Sequence, residues 1–144
     1  MVKTILITGA TDGIGKHLVK KLASEGHHVI LHGRNPQKLE LVLQEVRAVS
    51  LRDRVSSYLA DFSKLDDVYR FVEEIKRDFQ SIDVLFNNAG LYAGKDRKGS
   101  AENVELTFML SVLVPYILTT ELNPLLEKSA DGRVINTSSY MHHF

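Results

Sequence analysis

Ile5-Leu6-Ile7-Thr8-Gly9-Ala10-Thr11-Asp12-Gly13-Ile14-Gly15 is the stretch whose reading decides the fold. Ile5-Leu6-Ile7 has the look of a short buried strand, and beyond the glycines Leu18, Val19, Leu22 and Ala23 recur at helical spacing. A glycine-rich turn between a first strand and a first helix has a physical use. Its glycines let backbone approach a ligand, and the new helix aims unpaired N–H groups and its positive dipole end at a phosphate. The spacing Gly-x-x-x-Gly-x-Gly is one residue looser than the Gly-x-Gly-x-x-Gly dinucleotide fingerprint. A purely structural tight turn is the competing reading of this stretch alone.

Working outward, strands and helices alternate, which predicts a parallel sheet wrapped by helices on both faces. The first helix is expected from about Gly13 to Glu25, with Gly26 placed as a left-handed cap. A second strand covers His28 to His32, and Asn35-Pro36 starts the next helix, whose Leu39, Val42, Leu43 and Val46 face the sheet. Val55 to Leu59 is a third strand. Ser63 with Asp66 resembles a capping box ahead of Val68, Phe71, Val72 and Ile75 on one helical face. Val84 to Asn87 is the fourth strand. A loop rich in Gly, Lys and Asp from Gly94 to Ser100 leads to a long apolar helix from about Ala101 to Lys128, and Val134 to Thr137 is the fifth strand.

The bulk numbers exclude several classes. The 144 residues suit a single domain, residues 1–144, large enough to bury a core. Eighteen basic residues balance eighteen acidic ones, so no nucleic-acid partner is suggested. There is no cysteine, hence no disulfide and no cysteine-ligated metal. His27-His28 and His142-His143 are adjacent pairs that point to opposite faces of an extended chain, with no carboxylate spaced to complete a site, so no metal is expected. The apolar run Leu110 to Leu118 is too short to span a bilayer. A soluble cytoplasmic domain is the expectation.

Three motifs in order, the glycine turn, Asn87-Asn88-Ala89-Gly90 and Gly132-Arg133-Val134-Ile135-Asn136-Thr137-Ser138-Ser139, resemble the short-chain dehydrogenase/reductase family, in register over the whole chain. The tail Ser138-Ser139-Tyr140-Met141-His142-His143 looks most like the branch containing retinol dehydrogenases. The resemblance implies a doubly wound Rossmann sheet of the order 3-2-1-4-5, extended in the family by two more strands. It also implies a catalytic Tyr-x-x-x-Lys shortly after the catalytic serine. No such motif occurs here, since Tyr140 is followed four residues on by Phe144. The expectation is therefore the N-terminal part of an oxidoreductase, ending after its fifth strand and inactive by itself. A non-catalytic dinucleotide-binding or sensing protein is the alternative.

Gly9, Gly13 and Gly15, the backbone of Ile14 and the Thr11 hydroxyl are expected to cradle a pyrophosphate. An acidic residue ending the second strand favours NAD through the adenosine 2′-hydroxyl. Here that position reads His32-Gly33-Arg34, and the planar donors of Arg34 suit a 2′-phosphate, so NADP is expected over NAD. An arginine in a merely solvated loop is the competing reading. By resemblance, Asp61 and the Phe62 N–H hold the adenine edge, although Asp61 also fits a plain loop aspartate. Asn88, Ala89 and Gly90 wall the cofactor side, and Asn87 pins neighbouring strands. Ser139 matches the serine that polarises a substrate carbonyl, with Ser138 the structural neighbour. Ser111 stands where family members carry an asparagine that frees a backbone carbonyl for a water in the proton relay. Pro115, four residues on, lacks the N–H that would bond the Ser111 carbonyl. The implied substrate is a small-molecule carbonyl or alcohol, and the implied partner a second copy of the chain packed through the helix around 101–128.

Overall fold

The computed structural model of the chain describes residues 1–91 and 98–139. Strand β1 (Thr4–Ile7) enters the glycine turn and helix α1 (Gly13–Ser24) leaves it. Then follow β2 (His28–Gly33), α2 (Pro36–Val49), β3 (Val55–Leu59), α3 (Leu65–Asp78) and β4 (Val84–Asn87). The last crossover passes through α4 (Leu106–Phe108), a π-helical turn (Met109–Leu113) and α5 (Val114–Glu127) into β5 (Arg133–Asn136). All strands pair in parallel in the order β3-β2-β1-β4-β5, a doubly wound Rossmann sheet. The winding direction reverses between β1 and β4, which opens a crevice at their carboxyl ends.

The period-two alternation of strand side chains divides the core between the two faces. Ile5, Ile7, Val29 and Leu31 turn toward Val19 and Ala23 of α1 and Val42 and Val46 of α2. Leu6, Ile30 and Leu85 turn the other way, onto Val68, Phe71 and Ile75 of α3 and Leu118 and Leu122 of α5. Strands buried on both faces read as continuous apolar runs, as these do.

The helix ends follow local chemistry. Asn35 accepts from the Lys38 N–H at 2.9 Å and caps α2, with Pro36 at its first position. Gly26, at φ +86°, follows the Glu25 cap that ends α1.

Four expectations are corrected. The Ser63/Asp66 capping box does not form. Ser63 instead donates from its N–H and its hydroxyl to Asp61 Oδ1, at 3.0 and 2.7 Å, while Asp67 Oδ2 accepts the Asp61 N–H at 2.8 Å. The α3 N-terminus is capped from a distance, the Leu65 N–H donating to Glu102 Oε1 at 2.7 Å. That use of Glu102 belongs with the second correction: residues 101–103 turn, Glu105 bridges Gly99, and the long helix begins at Leu106. There the Glu105 carboxylate accepts the N–H groups of Thr107 and Phe108 at 2.9 and 2.7 Å. Third, the apolar stretch is longer than Leu110 to Leu118. Leu106–Glu127 is long and apolar enough to cross a bilayer, and it packs Met109, Val114, Ile117, Leu118 and Leu122 into the core of the sheet. The expected fifth strand shifts by one residue, to Arg133–Asn136. Most of the Gly94–Ser100 loop, and Tyr140 to Phe144 with His142-His143, lie outside the described residues.

Candidate functional site

A cleft of about 660 Å³ lies where the winding reverses. Its floor is the glycine turn, and each glycine of the turn is there for a different reason. Gly9, at φ +63°, passes so close to β4 that a Cβ would stand 2.8 Å from the Ala89 Cα. At Gly15 a Cβ would overlap the Gly9 carbonyl oxygen and approach Asn88 Nδ2 to 2.7 Å. A Cβ at Gly13, by contrast, would meet nothing within 4 Å among the described residues. Gly13 has φ +50° and lines the cleft, so its bare face opens onto the space a ligand would take. Asp12 caps α1 by accepting the Gly13 N–H at 2.8 Å, and the Lys16 N–H returns to the Asp12 carbonyl at 3.1 Å. The N–H groups of Ile14 and Gly15 take no partner among the described residues, as the first turn of a helix leaves them. Thr11 and Ile14 also line the cleft.

Asn88, Ala89 and Gly90 form the opposite wall, stitched to the glycine turn. The buried Thr8 hydroxyl accepts the N–H groups of Asn88 and Ala89 at 3.0 and 2.9 Å. Asn88 Nδ2 donates to the carbonyls of Thr8 and Gly9, both at 3.2 Å, and Asn88 Oδ1 accepts from the Thr137 hydroxyl at 3.0 Å. Asn87 Nδ2 donates to Asn136 Oδ1 at 2.9 Å and to Thr119 Oγ1 at 3.4 Å, tying β4 to β5 and α5.

The third side is built by the end of β2. His32 is buried, and its Nδ1 accepts the Gly9 N–H at 3.1 Å. Nε2 therefore carries the proton and donates to the Ala60 carbonyl at 2.9 Å. The ring lies flat on Phe62, with centroids 3.8 Å apart. Burial pulls its pKa down from 6.5 to about 4, so at neutral pH the imidazole is uncharged. Phe62 is itself buried, its ring facing His32 and Phe71. Asp61 lines the cleft with Oδ1 engaged by Ser63 and Oδ2 3.9 Å from Lys64 Nζ. Arg34 is exposed at the cleft, and among the described residues its guanidinium takes no ion-pair partner. Lys38, one turn into α2, also lines the cleft, with Nζ 3.8 Å from Asp12 Oδ2.

At the β5 end, Thr137 lines the cleft, while Ser138 and Ser139 follow it as exposed residues outside the lining. Ser111 sits in the π-helical turn and is exposed, and its neighbour Leu110, with Leu106, forms the apolar side of the cleft. The Val114 N–H reaches back five residues to the Met109 carbonyl, so the Leu110 carbonyl loses its α-helical donor. Pro115 has no N–H, and the Ser111 carbonyl loses its donor as well. Sequence reasoning thus placed the irregularity at Ser111 and Pro115, whereas it spans Met109–Leu113. It gave no site role to Thr8, His32, Lys38 or Thr137. Thr8 directly precedes the first glycine and Lys38 follows Asn35 by three, which are the signals that could have found them. Nothing in a strand pattern distinguishes His32.

The chain is similar to mouse retinol dehydrogenase 13, at 32% identity over 140 residues, covering 97% of this chain and 42% of that protein. It therefore spans less than half the length of that relative. Among solved structures it is similar to a short-chain dehydrogenase from Sphingobium yanoikuyae in complex with NADPH, with a TM-score of 0.83 at 29% identity, over 99% of this chain and 55% of the other. It is also similar to the NADH-dependent reductase A1-R' complexed with NAD, with a TM-score of 0.80 at 31% identity, over 96% of this chain and 60% of the other. The glycine turn stitched to the Asn-Asn-Ala-Gly wall at the reversal point, and a match over residues 3–143, have one meaning: the chain belongs to the short chain dehydrogenase family.

Proposed function

We propose that these residues form the dinucleotide-binding part of an NADP-dependent oxidoreductase acting between a carbonyl and a secondary alcohol. The observation that carries the reading is the end of β2. Gly33 stands where an acidic residue would read a 2′-hydroxyl, Arg34 follows it with no ion-pair partner among the described residues, and Lys38 adds a second cation one helical turn away. Arg34 and Lys38 put two positive charges beside Asp12 at this end of the cleft, and Arg34 can meet a 2′-phosphate with parallel N–H groups. The NADPH bound by the Sphingobium structure supports the choice, while the NAD of the A1-R' complex shows that the scaffold itself serves both.

The cradle fits such a cofactor: a bare Gly13 face and two N–H groups at a helix N-terminus receive a pyrophosphate. When bound, the nicotinamide supplies or takes up the hydride. The chain's own residues bind and orient. The Thr8–Asn88 stitching holds the cradle rigid, Leu106 and Leu110 exclude water, and the Ser139 hydroxyl orients the substrate carbonyl. The freed carbonyls of Leu110 and Ser111 hold a water in the proton path. The retinol dehydrogenase relative supports an apolar substrate. The 144 residues hold no Tyr-x-x-x-Lys, so alone they bind a dinucleotide without turning a substrate over. The alternative is a dinucleotide-binding or sensing protein without chemistry. Turnover by the whole protein decides between them.

The exposed stripe Phe108, Val112 and Tyr116, spaced four residues apart on one helix face, supports pairing with a second copy. Light scattering on Val112→Glu tests it, a monomer being the expected result and an unchanged mass the contrary one.

The cofactor reading is tested by specificity constants for NADPH and NADH in the wild type and Arg34→Ala. Loss of a charge-assisted phosphate contact costs about 1.5–3 kcal/mol with NADPH and leaves NADH unaffected. A wild type that favours NADH, or an unchanged ratio, refutes it.

A further inference from the structure

Gly33 is buried at the end of β2 and is not among the glycines with positive φ, so its backbone does not require glycine. Its surroundings do. A Cβ there would stand 2.5 Å from Thr11 Cγ2, 3.3 Å from Leu39 Cδ1 and 3.6 Å from Leu39 Cβ. The Thr11 methyl is the contact that forbids it, and the chain that carries Thr11 is held in place. The Gly9 N–H is bonded to His32 Nδ1 at 3.1 Å, and the Ala10 N–H to the His32 carbonyl at 2.8 Å. The glycine turn therefore cannot draw back from β2 without breaking two bonds in a buried site. Nor does the side chain turn aside freely, because a β-branched residue at χ1 leaves only one of three staggered positions without a heavy atom.

We propose that Thr11 is a specificity-determining residue for the dinucleotide, its methyl group filling the place where the first side-chain atom of an acid at position 33 would stand. The proposal rests on the cofactor reading given above and goes beyond it. Selection against NAD lies in the contact between Thr11 and Gly33, neighbours in space though twenty-two residues apart in sequence, and not in Arg34 alone. An acid introduced at position 33 pushes the turn out of place and so harms binding of both dinucleotides. It becomes a reader of the 2′-hydroxyl only once position 11 is trimmed.

A double-mutant cycle on the whole protein tests this: wild type, Thr11→Ala, Gly33→Asp and the two together. Thermal midpoints and the NADH/NADPH affinity ratio are measured for each. Gly33→Asp alone is expected to lower the midpoint and weaken both dinucleotides. Adding Thr11→Ala is expected to recover most of the midpoint and raise the ratio in favour of NADH by about tenfold or more over Gly33→Asp alone, a change of about 1.4 kcal/mol. Should Gly33→Asp fail to fold, Gly33→Ala with and without Thr11→Ala gives the same coupling from the midpoint alone. Additive midpoints, or a Gly33→Asp variant that takes NADH as well as the double variant does, overturn the proposal. A wild type that prefers NADH refutes the NADP reading, and the midpoint coupling still decides whether Thr11 closes position 33.

Discussion

His32 makes the stability of this domain depend on pH in a window set by one buried ring. The folded protein holds it neutral, Nδ1 accepting from Gly9 and Nε2–H donating to Ala60. Protonation would put a second N–H against the Gly9 N–H inside the core. Its pKa falls from 6.5 to about 4 on burial, so between those values the unfolded chain binds a proton that the folded chain refuses. Stability is then independent of this group above about pH 6.5, declines as pH falls toward about 4 and levels off below it, a total loss of about 3 kcal/mol. His28, half buried and lowered by desolvation and by Arg54, adds to the slope in the same direction, so the comparison must be with a variant. His32→Asn keeps an acceptor near the Gly9 N–H and removes the titration. Urea unfolding of both proteins from about pH 7 to about pH 4 is the assay. The variant should be less stable at neutral pH by about 1–3 kcal/mol, for the lost Ala60 bond and Phe62 contact, and should shed most of the acid slope. Parallel pH profiles for the two proteins would refute the neutral buried tautomer.

Two further outcomes follow from the stitching and from the irregular helix. Thr8→Val removes the one acceptor shared by the Asn88 and Ala89 N–H groups. It should cost about 1–3 kcal/mol for each donor left buried, where Thr8→Ser costs much less, as chemical denaturation will show. Pro115→Ala gives the first turn of α5 an N–H for the Ser111 carbonyl. The thermal midpoint should rise while proton transfer in the whole enzyme slows more than cofactor binding weakens. A faster enzyme would contradict the role given to that carbonyl.

The sheet was legible because its central strands β1, β2 and β4 are largely buried apolar runs and the turns between elements carry distinctive residues. Gly26 ends α1, Asn35-Pro36 starts α2, and the three glycines mark the crevice. What escaped was whatever depends on residues far apart in sequence. Ser63 and Asp66 match a capping pattern, but Asp61 captures the Ser63 hydroxyl and Glu102 crosses over to cap α3. The same Glu102 sits in the turns that delay the long helix to Leu106, which an apolar count over Ala101 to Lys128 does not reveal. Arg34 was readable from its place after the second strand. His32 was not, because an inward histidine on a strand looks like any strand residue until Gly9, Ala60 and Phe62 close around it.

The central claim is that the open face of the glycine turn receives a dinucleotide, and Gly13→Ala tests it most directly. The added methyl meets no atom within 4 Å among the described residues, and at φ +50° it costs the backbone about 1–2 kcal/mol, so the variant should fold. NADPH is titrated calorimetrically into the whole wild-type protein and the variant, with circular dichroism confirming the fold of each. Saturable binding by the wild type, weakened about tenfold or more in the folded variant, is the result expected. Equal affinity in the two proteins, or no binding by the wild type, would contradict it.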